Sequence, residues 1–194
     1  MAVPAQKPSL IDFLAWENLQ AERHEFDRGE IFAMVGARRQ HGLVTLNLAT
    51  SFKSHLKGNP CRAFTADMKV QVADDAVFYP DVFVTCDAQD LKTDQVFRRP
   101  ILIAEVLSPS TQAFDRSLKF AAYRQIDALQ EYLLVDPETR SVEVFRRNER
   151  GLFELHDQTS AAQLHLASID LHLAMAEVFD GLDDAASAAA ALPP

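Results

Sequence analysis

The sequence predicts an α/β or α+β domain. A mixed central β-sheet is flanked by helices, with an N-terminal helix and β-hairpin in front. Three observations predict it. Apolar residues recur at helical spacing over 40–57 and 110–127. Strand-like runs with period-2 alternation lie between and after those stretches. The run 101–107, ILIAEVL, is almost wholly apolar, as expected of a central strand covered on both faces.

Ser9 is an N-cap for a first helix reaching about Gln20, with Asp12 three positions on. Phe26, the turn Asp27-Arg28-Gly29, and Ile31-Phe32 read as a hairpin. Leu43, Leu46, Leu48, Phe52 and Leu56 give the second helix its apolar positions, and Gly58-Asn59-Pro60 ends it. Four strand runs follow: 61–72, 77–86, 101–107 and 131–135. Ser110 or Thr111 starts the helix between the last two. Asp136-Pro137-Glu138-Thr139 turns the chain into a partner strand at 141–146. A weaker strand at 153–156 and an apolar stretch to Val178 complete a single domain over 1–180. The Ala-rich segment 181–194 reads as a flexible tail.

Composition excludes several classes. The chain has 194 residues, 48% hydrophobic and 24% charged, enough for a sizeable core and too apolar for wholesale disorder. Cys61 and Cys86 are the only cysteines, so neither a disulfide-dense scaffold nor a cysteine-based zinc knuckle is expected; a reduced, cytoplasmic, soluble protein is. No apolar run reaches 18 residues and the N-terminus has no apolar signal region, so no membrane association is expected. The formal net charge is −9, and residues 151–194 carry seven acids and no Lys or Arg. That acidity disfavours nonspecific polyanion binding, whereas residues 98–150, with nine basic and eight acidic residues, could still form a local basic surface. No G-x-S-x-G elbow and no phosphate-binding glycine loop occurs.

Two carboxylates stand out. Asp81 and Glu105 each interrupt an apolar strand, where a carboxylate is costly unless paired, hydrogen-bonded or metal-bound. A single such acid is more often a structural ion pair than a site. Two on consecutive strands, with Lys119 on the helix that follows, favour a site. Together the acids could hold Mg²⁺ or Mn²⁺ by oxygen, and the lysine could polarise a water or stabilise phosphorane charge.

Y-P-D-V at 79–82, I-A-E-V-L-S-P-S-T at 103–111, D-R-S-L-K-F-A-A-Y at 115–123 and E-Y-L-L-V-D-P at 131–137 together resemble the Uma-two family. That is a group of endonucleases in the restriction-endonuclease-like PD-(D/E)xK superfamily. H-E-F-D-R-G-E-I at 24–31 and Gln40-His41 are similar to it as well, and the likeness spans roughly residues 10–180. It implies a restriction-endonuclease-like core and Mg²⁺-dependent cleavage of phosphodiester bonds in DNA, with Asp81 and Glu105 as metal ligands. One departure is visible. Glu-x-Lys would put lysine at 107, where this chain has Leu107, so Lys119 becomes the displaced lysine. Asp115, Lys119 and Tyr123 share a helix face.

Glu30, His41 and Asp115 are secondary candidates. The plainer readings are a solvated hairpin acid, with Glu25 similar, a surface or capping histidine, and a partner for Lys119 or Arg116. Ser108 is better placed to cap the next helix than to contact phosphate. Tyr123 reads as core, and no phenylalanine marks a base-stacking platform. Arg98, Arg99, Arg116 and Arg124 could contact phosphates or simply solvate a surface. A homodimer would supply two sites for two strands, with Trp16 as a hint of an interface. The competing functions are a noncatalytic interaction or regulatory module on the nuclease fold, and a nuclease for RNA or branched DNA.

Overall fold

The computed structural model describes residues 7–34, 36–65 and 67–182. Helix α1 (Leu10–Glu17) begins at the expected capping box: Ser9 Oγ accepts from Asp12 N–H, and the Asp12 carboxylate accepts from Ser9 N–H. The hairpin pairs β1 (His24–Asp27) with β2 (Glu30–Ala33). Its turn residues Arg28 and Gly29 both have positive φ, 48° and 85°, the pairing that suits the twist of a two-residue hairpin loop. Helix α2 (Arg39–His55) buries Val44, Leu48 and Phe52, spaced four apart on one stripe.

The central sheet has six strands in the order β11-β10-β9-β8-β6-β3. These are β3 (Arg62–Thr65), β6 (Val82–Thr85), β8 (Pro100–Val106), β9 (Glu131–Asp136), β10 (Ser141–Arg147) and β11 (Phe153–Asp157). Only β8 and β9 pair in parallel, so the sheet is mixed, as expected. Alternation along β8 assigns its two faces. Leu102, Ala104 and Val106 pack with α2 and the C-terminal segment, while Ile103 and Leu107 pack with Ala122 and Tyr123 at the end of the crossover helix and with Leu129 after it. Glu105 shares the second face.

The structure departs from a single-sheet reading. The run 61–72 is two strands, β3 and β4 (Lys69–Val72), and the run 77–86 is two more, β5 (Ala76–Phe78) and β6. β4 and β5 join the hairpin and β7 (Val96–Phe97) in a second sheet of order β2-β1-β5-β4-β7. The chain changes sheets at Tyr79-Pro80-Asp81, where proline has no N–H for a ladder. The apolar stretch before Val178 is a third, two-stranded sheet, β12 (Gln163–Leu166) with β13 (Leu171–Ala174), followed by a helical turn at Met175–Val178.

The crossover helix is shorter than expected, ending at Tyr123. It comprises Gln112–Phe114, a π-helical turn over Asp115–Lys119, and Phe120–Tyr123. Cys61 and Cys86 form a disulfide rather than the expected free thiols. They continue the antiparallel β3–β6 pairing, in which Arg62 faces Thr85, so the backbone already brings them together. Trp16 is partly exposed and packs against Phe13 and His24. Leu182, within the expected tail, is buried; residues 183–194 lie outside the described residues. No described helix is long and apolar enough to cross a membrane.

Candidate active site

Asp81 and Glu105 are locked to each other through the backbone. Asp81 N–H donates to Glu105 Oε2 at 3.2 Å, and Val106 N–H donates to Asp81 Oδ2 at 2.8 Å. The sheet change at Pro80 places Asp81 at the head of β6, and antiparallel pairing with β8 sets it beside Glu105. His41 Nε2 lies 3.2 Å from the same Asp81 Oδ2. The histidine comes from the first turn of α2 and its side chain is 18% exposed, so it faces Asp81 rather than solvent.

Lys119 completes the group. Its buried Nζ lies 2.9 Å from Glu25 Oε1, 3.3 Å from Glu105 Oε1 and 3.3 Å from Asp115 Oδ1. Glu105 Oε1 also accepts from Tyr123 O–H at 3.1 Å, which gives that core tyrosine a polar duty. Asp115 and Lys119 meet four residues apart on the crossover helix, as their spacing predicts.

Glu25 was the undervalued acid. It is 5% exposed, whereas the solvated-hairpin reading holds for Glu30, which is exposed and pairs with Lys7 at 3.0 Å. Glu25 Oε1 also accepts from Tyr79 N–H at 3.0 Å, linking the hairpin to the sheet-change segment. Its neighbour Phe26 faces the hydrophobic cluster of Leu10, Phe13 and Val77. An acid beside such an anchor carries the same signal as Glu105, masked here by the polar residues around it. Glu17 was also missed. It is fully buried and accepts from Tyr79 O–H at 2.9 Å and His24 N–H at 3.0 Å, holding the residues ahead of Asp81 against α1.

Burial and like charge govern the electrostatics. Burial pushes the Glu105 carboxyl well above the usual range, and Asp81, Asp115 and Glu25 add to this against the opposing pull of Lys119. Burial raises Glu25 and Asp115 as well, with Lys119 again opposing. For Lys119, burial favours the neutral amine, but Glu105, Glu25 and Asp115 more than reverse it and hold the side chain as ammonium. Burial likewise opposes the His41 imidazolium, and its hydrogen bond to Asp81 wins, raising its pKa.

The cluster floors an open cleft of about 710 Å³ between the hairpin, the N-terminal half of α2 and the segment 105–119. Ser108 lines it and accepts from Thr111 N–H, the capping contact expected before the crossover helix. The other proposed phosphate contacts are elsewhere: Arg99 pairs with Asp87 at 3.0 Å, Arg98 with Asp74 at 3.9 Å, and Arg116 with Glu143. None of them, nor Arg124, lines the cleft.

The donor set fits a hard divalent cation. Asp81 and Glu105 offer oxygens only, and Mg²⁺ commonly takes one or two carboxylates while keeping several waters. Among the described residues, the contacts of the Asp81 carboxylate with Val106 N–H and His41 Nε2 fall on Oδ2, and Oδ1 is the oxygen that would face a cation. Among the described residues, no three or more His, Cys, Asp or Glu side chains are grouped as a ready-made metal cage, so the fit is to a two-carboxylate site completed by water and substrate.

A family model described as "Uma2: Putative restriction endonuclease" matches residues 10–176. The uncharacterised protein slr1290 of Synechocystis sp. (strain ATCC 27184 / PCC 6803 / Kazusa) is 37% identical over 182 residues, covering 93% of this chain and 96% of that protein. A second uncharacterised protein of that strain, sll1609, is 35% identical over 139 residues, covering 70% and 78%. Among solved structures, a "putative nuclease belonging to DUF820" from Anabaena variabilis ATCC 29413 superposes with a TM-score of 0.72 at 21% identity, covering 89% of this chain and 97% of that one; at that identity the likeness speaks for the fold. With the match running from α1 through the last strand, this chain belongs to the Uma2 restriction-endonuclease-like family.

Proposed function

We propose that this protein is a divalent-metal-dependent endonuclease that hydrolyses phosphodiester bonds in DNA, with Mg²⁺ or Mn²⁺ as its cofactor. One observation carries the reading: a buried lysine ammonium lies 3.3 Å from a carboxylate that is clamped to a second carboxylate on the floor of an open cleft. A general structural ion pair needs one acid per lysine. Here Lys119 meets three, which suits a site built to receive further positive charge.

Asp81 and Glu105 would hold the metal, which supplies charge neutralisation at the phosphate and a more acidic bound water. In the hydrolysis, water oxygen forms a new bond to phosphorus, the bond to the departing sugar oxygen breaks, and the water's proton balances the charge left on that oxygen. Lys119 stays protonated, so its part is to orient the water and stabilise phosphorane charge, not to act as base. Glu25 and Asp115 fix the ammonium in place; Tyr123 fixes Glu105. His41 orients Asp81.

Plasmid nicking and cleavage in Mg²⁺, Mn²⁺ or EDTA, beside Asp81→Ala and Glu105→Ala proteins purified identically, tests this. Cleavage that needs metal and disappears in both variants is expected. A folded wild type that leaves single-stranded, duplex and branched DNA intact would move the assignment to a noncatalytic module or an RNA substrate.

A further inference from the structure

The cleft has two unlike walls. One carries the carboxylates and Lys119. The other is apolar, formed by Phe32 and Met34 from the hairpin and its exit, Leu46 from α2 and Phe114 from the crossover helix. Met34 and Leu46 are 39% and 61% exposed, an apolar surface kept open beside buried charge. The Phe32 and Phe114 rings pair at 5.0 Å, tilted by 51°, and Lys119 Nζ lies 5.9 Å from the Phe114 ring centre. An aromatic surface therefore begins one ring away from the ammonium that would face a reacting phosphate.

Cations are scarce at the same place. Besides His41, the basic residues that line the cleft among the described residues are Arg38 and the buried Lys119, and Arg38 Nη1 lies 3.2 Å from Glu138 Oε1. A duplex is gripped chiefly through rows of phosphates and hides the faces of its bases. An unpaired strand exposes those faces and gains affinity by stacking them on aromatic side chains. We infer that this site takes its nucleic acid as an unpaired strand, with a nucleobase next to the scissile phosphate lodged against Phe32 and Phe114. The inference rests on the nuclease reading of the carboxylate cluster and narrows its substrate class.

The test is fluorescence anisotropy with the full chain, in Mg²⁺ and in EDTA. The probes are a labelled DNA strand, that strand annealed to its complement, and an RNA strand of the same sequence. Tighter binding of an unpaired strand than of the duplex is expected, by about tenfold or more. The RNA and DNA arms identify which strand is preferred, and preference for either over the duplex supports the inference. Phe32→Leu keeps apolar bulk and loses the ring, so it should weaken single-strand binding between about fivefold and a hundredfold, the range for one base–aromatic stack. Phe32→Tyr should bind as wild type does. Duplex binding as tight as single-strand binding, no binding of any probe, or an unaffected Phe32→Leu overturns the inference. The two readings fail separately. Duplex cut as readily as single strand keeps the nuclease and discards the unpaired strand. Ring-dependent single-strand binding without metal-dependent cleavage does the reverse.

Discussion

Lys119 Nζ lies 3.3 Å from Glu105 Oε1, although the two residues are 14 positions apart and stand on different elements. The position two after Glu105, where the superfamily pattern puts its lysine, holds Leu107, which is 3% exposed and packed with Ile103. The crossover helix returns a lysine to the same carboxylate. A π-helical turn covers Asp115–Lys119, a local irregularity that recurs at functional sites.

Removing that ammonium tests the arrangement. Lys119→Met is expected to lower metal-dependent nicking by about 10²–10³, as for loss of one preorganised charge-stabilising donor. It also leaves Glu25, Glu105 and Asp115 facing one another, a loss of about 3–5 kcal/mol if they stay ionised. Lys119→Arg keeps the charge but brings a planar fork into a place shaped for a compact ammonium, so an intermediate rate with better stability is expected. Nicking rates and thermal melts on the same preparations check both. A Lys119→Met protein that cuts at the wild-type rate removes Lys119 from the chemistry.

The sequence made Asp81 and Glu105 legible because each is a charge in an apolar strand, where burial makes it conspicuous, and Lys119 by its place on the helix after the Glu105 strand. The order of helices and strands around a mixed sheet was legible from periodicity. Glu25 was not, because it stands among His24, Asp27 and Arg28, where a solvated acid is the ordinary expectation; only the fold shows it buried against Lys119. The second sheet was hidden inside two continuous strand-like runs, since periodicity does not mark where a chain leaves one sheet for another. Residues 79–81 mark one such crossing, and there Pro80 was the available sign. The disulfide follows from the β3–β6 register, which pairwise spacing in the chain does not contain.

Metal-free stability should fall as pH rises, because of Glu105. Its folded-state pKa is raised above the ordinary 4.5, by burial first and by Asp81, Asp115 and Glu25 next. A group raised on folding gives stability below its unfolded pKa and loses it as pH climbs to the folded value, at about 1.4 kcal/mol for each tenfold change in acidity. Glutamine does not titrate, and Lys119 retains Glu25 and Asp115. In EDTA, Glu105→Gln is therefore expected to melt above wild type at neutral pH, with the gap narrowing as pH falls towards 4.5. Melts across that range decide it. A variant less stable at neutral pH would mean that the pairing of Glu105 with Lys119 outweighs its burial.

Metal should act on the native state alone. At a hundredfold excess over its dissociation constant, a bound ion adds about 2.7 kcal/mol to stability. Mg²⁺ or Mn²⁺ is expected to raise the melting temperature of wild type, and the rise should vanish in Asp81→Ala. Differential scanning calorimetry reads this without any substrate. A wild type indifferent to both ions, or a variant that keeps the full rise, removes Asp81 as a ligand.

Away from the cleft, Glu131 ties the C-terminal hairpin to the central sheet. It is fully buried at the start of β9, lies 2.8 Å from Arg146 Nε, and accepts from Ala167 N–H at 3.1 Å and Ser168 N–H at 2.8 Å. Arg146 faces it from β10 and also donates from Nη2 to His165 O at 3.2 Å. Arg146→Leu leaves Glu131 buried with two backbone donors and no countercharge, so a loss of about 3–5 kcal/mol is expected. The double variant Arg146→Leu with Glu131→Gln removes the stranded charge and should recover part of it. Denaturant melts of the two proteins separate the cases. Equal stability for the single variant and wild type would show that the backbone donors alone satisfy Glu131. Because this pair lies outside the cleft, metal binding by the folded variants should remain at the wild-type level.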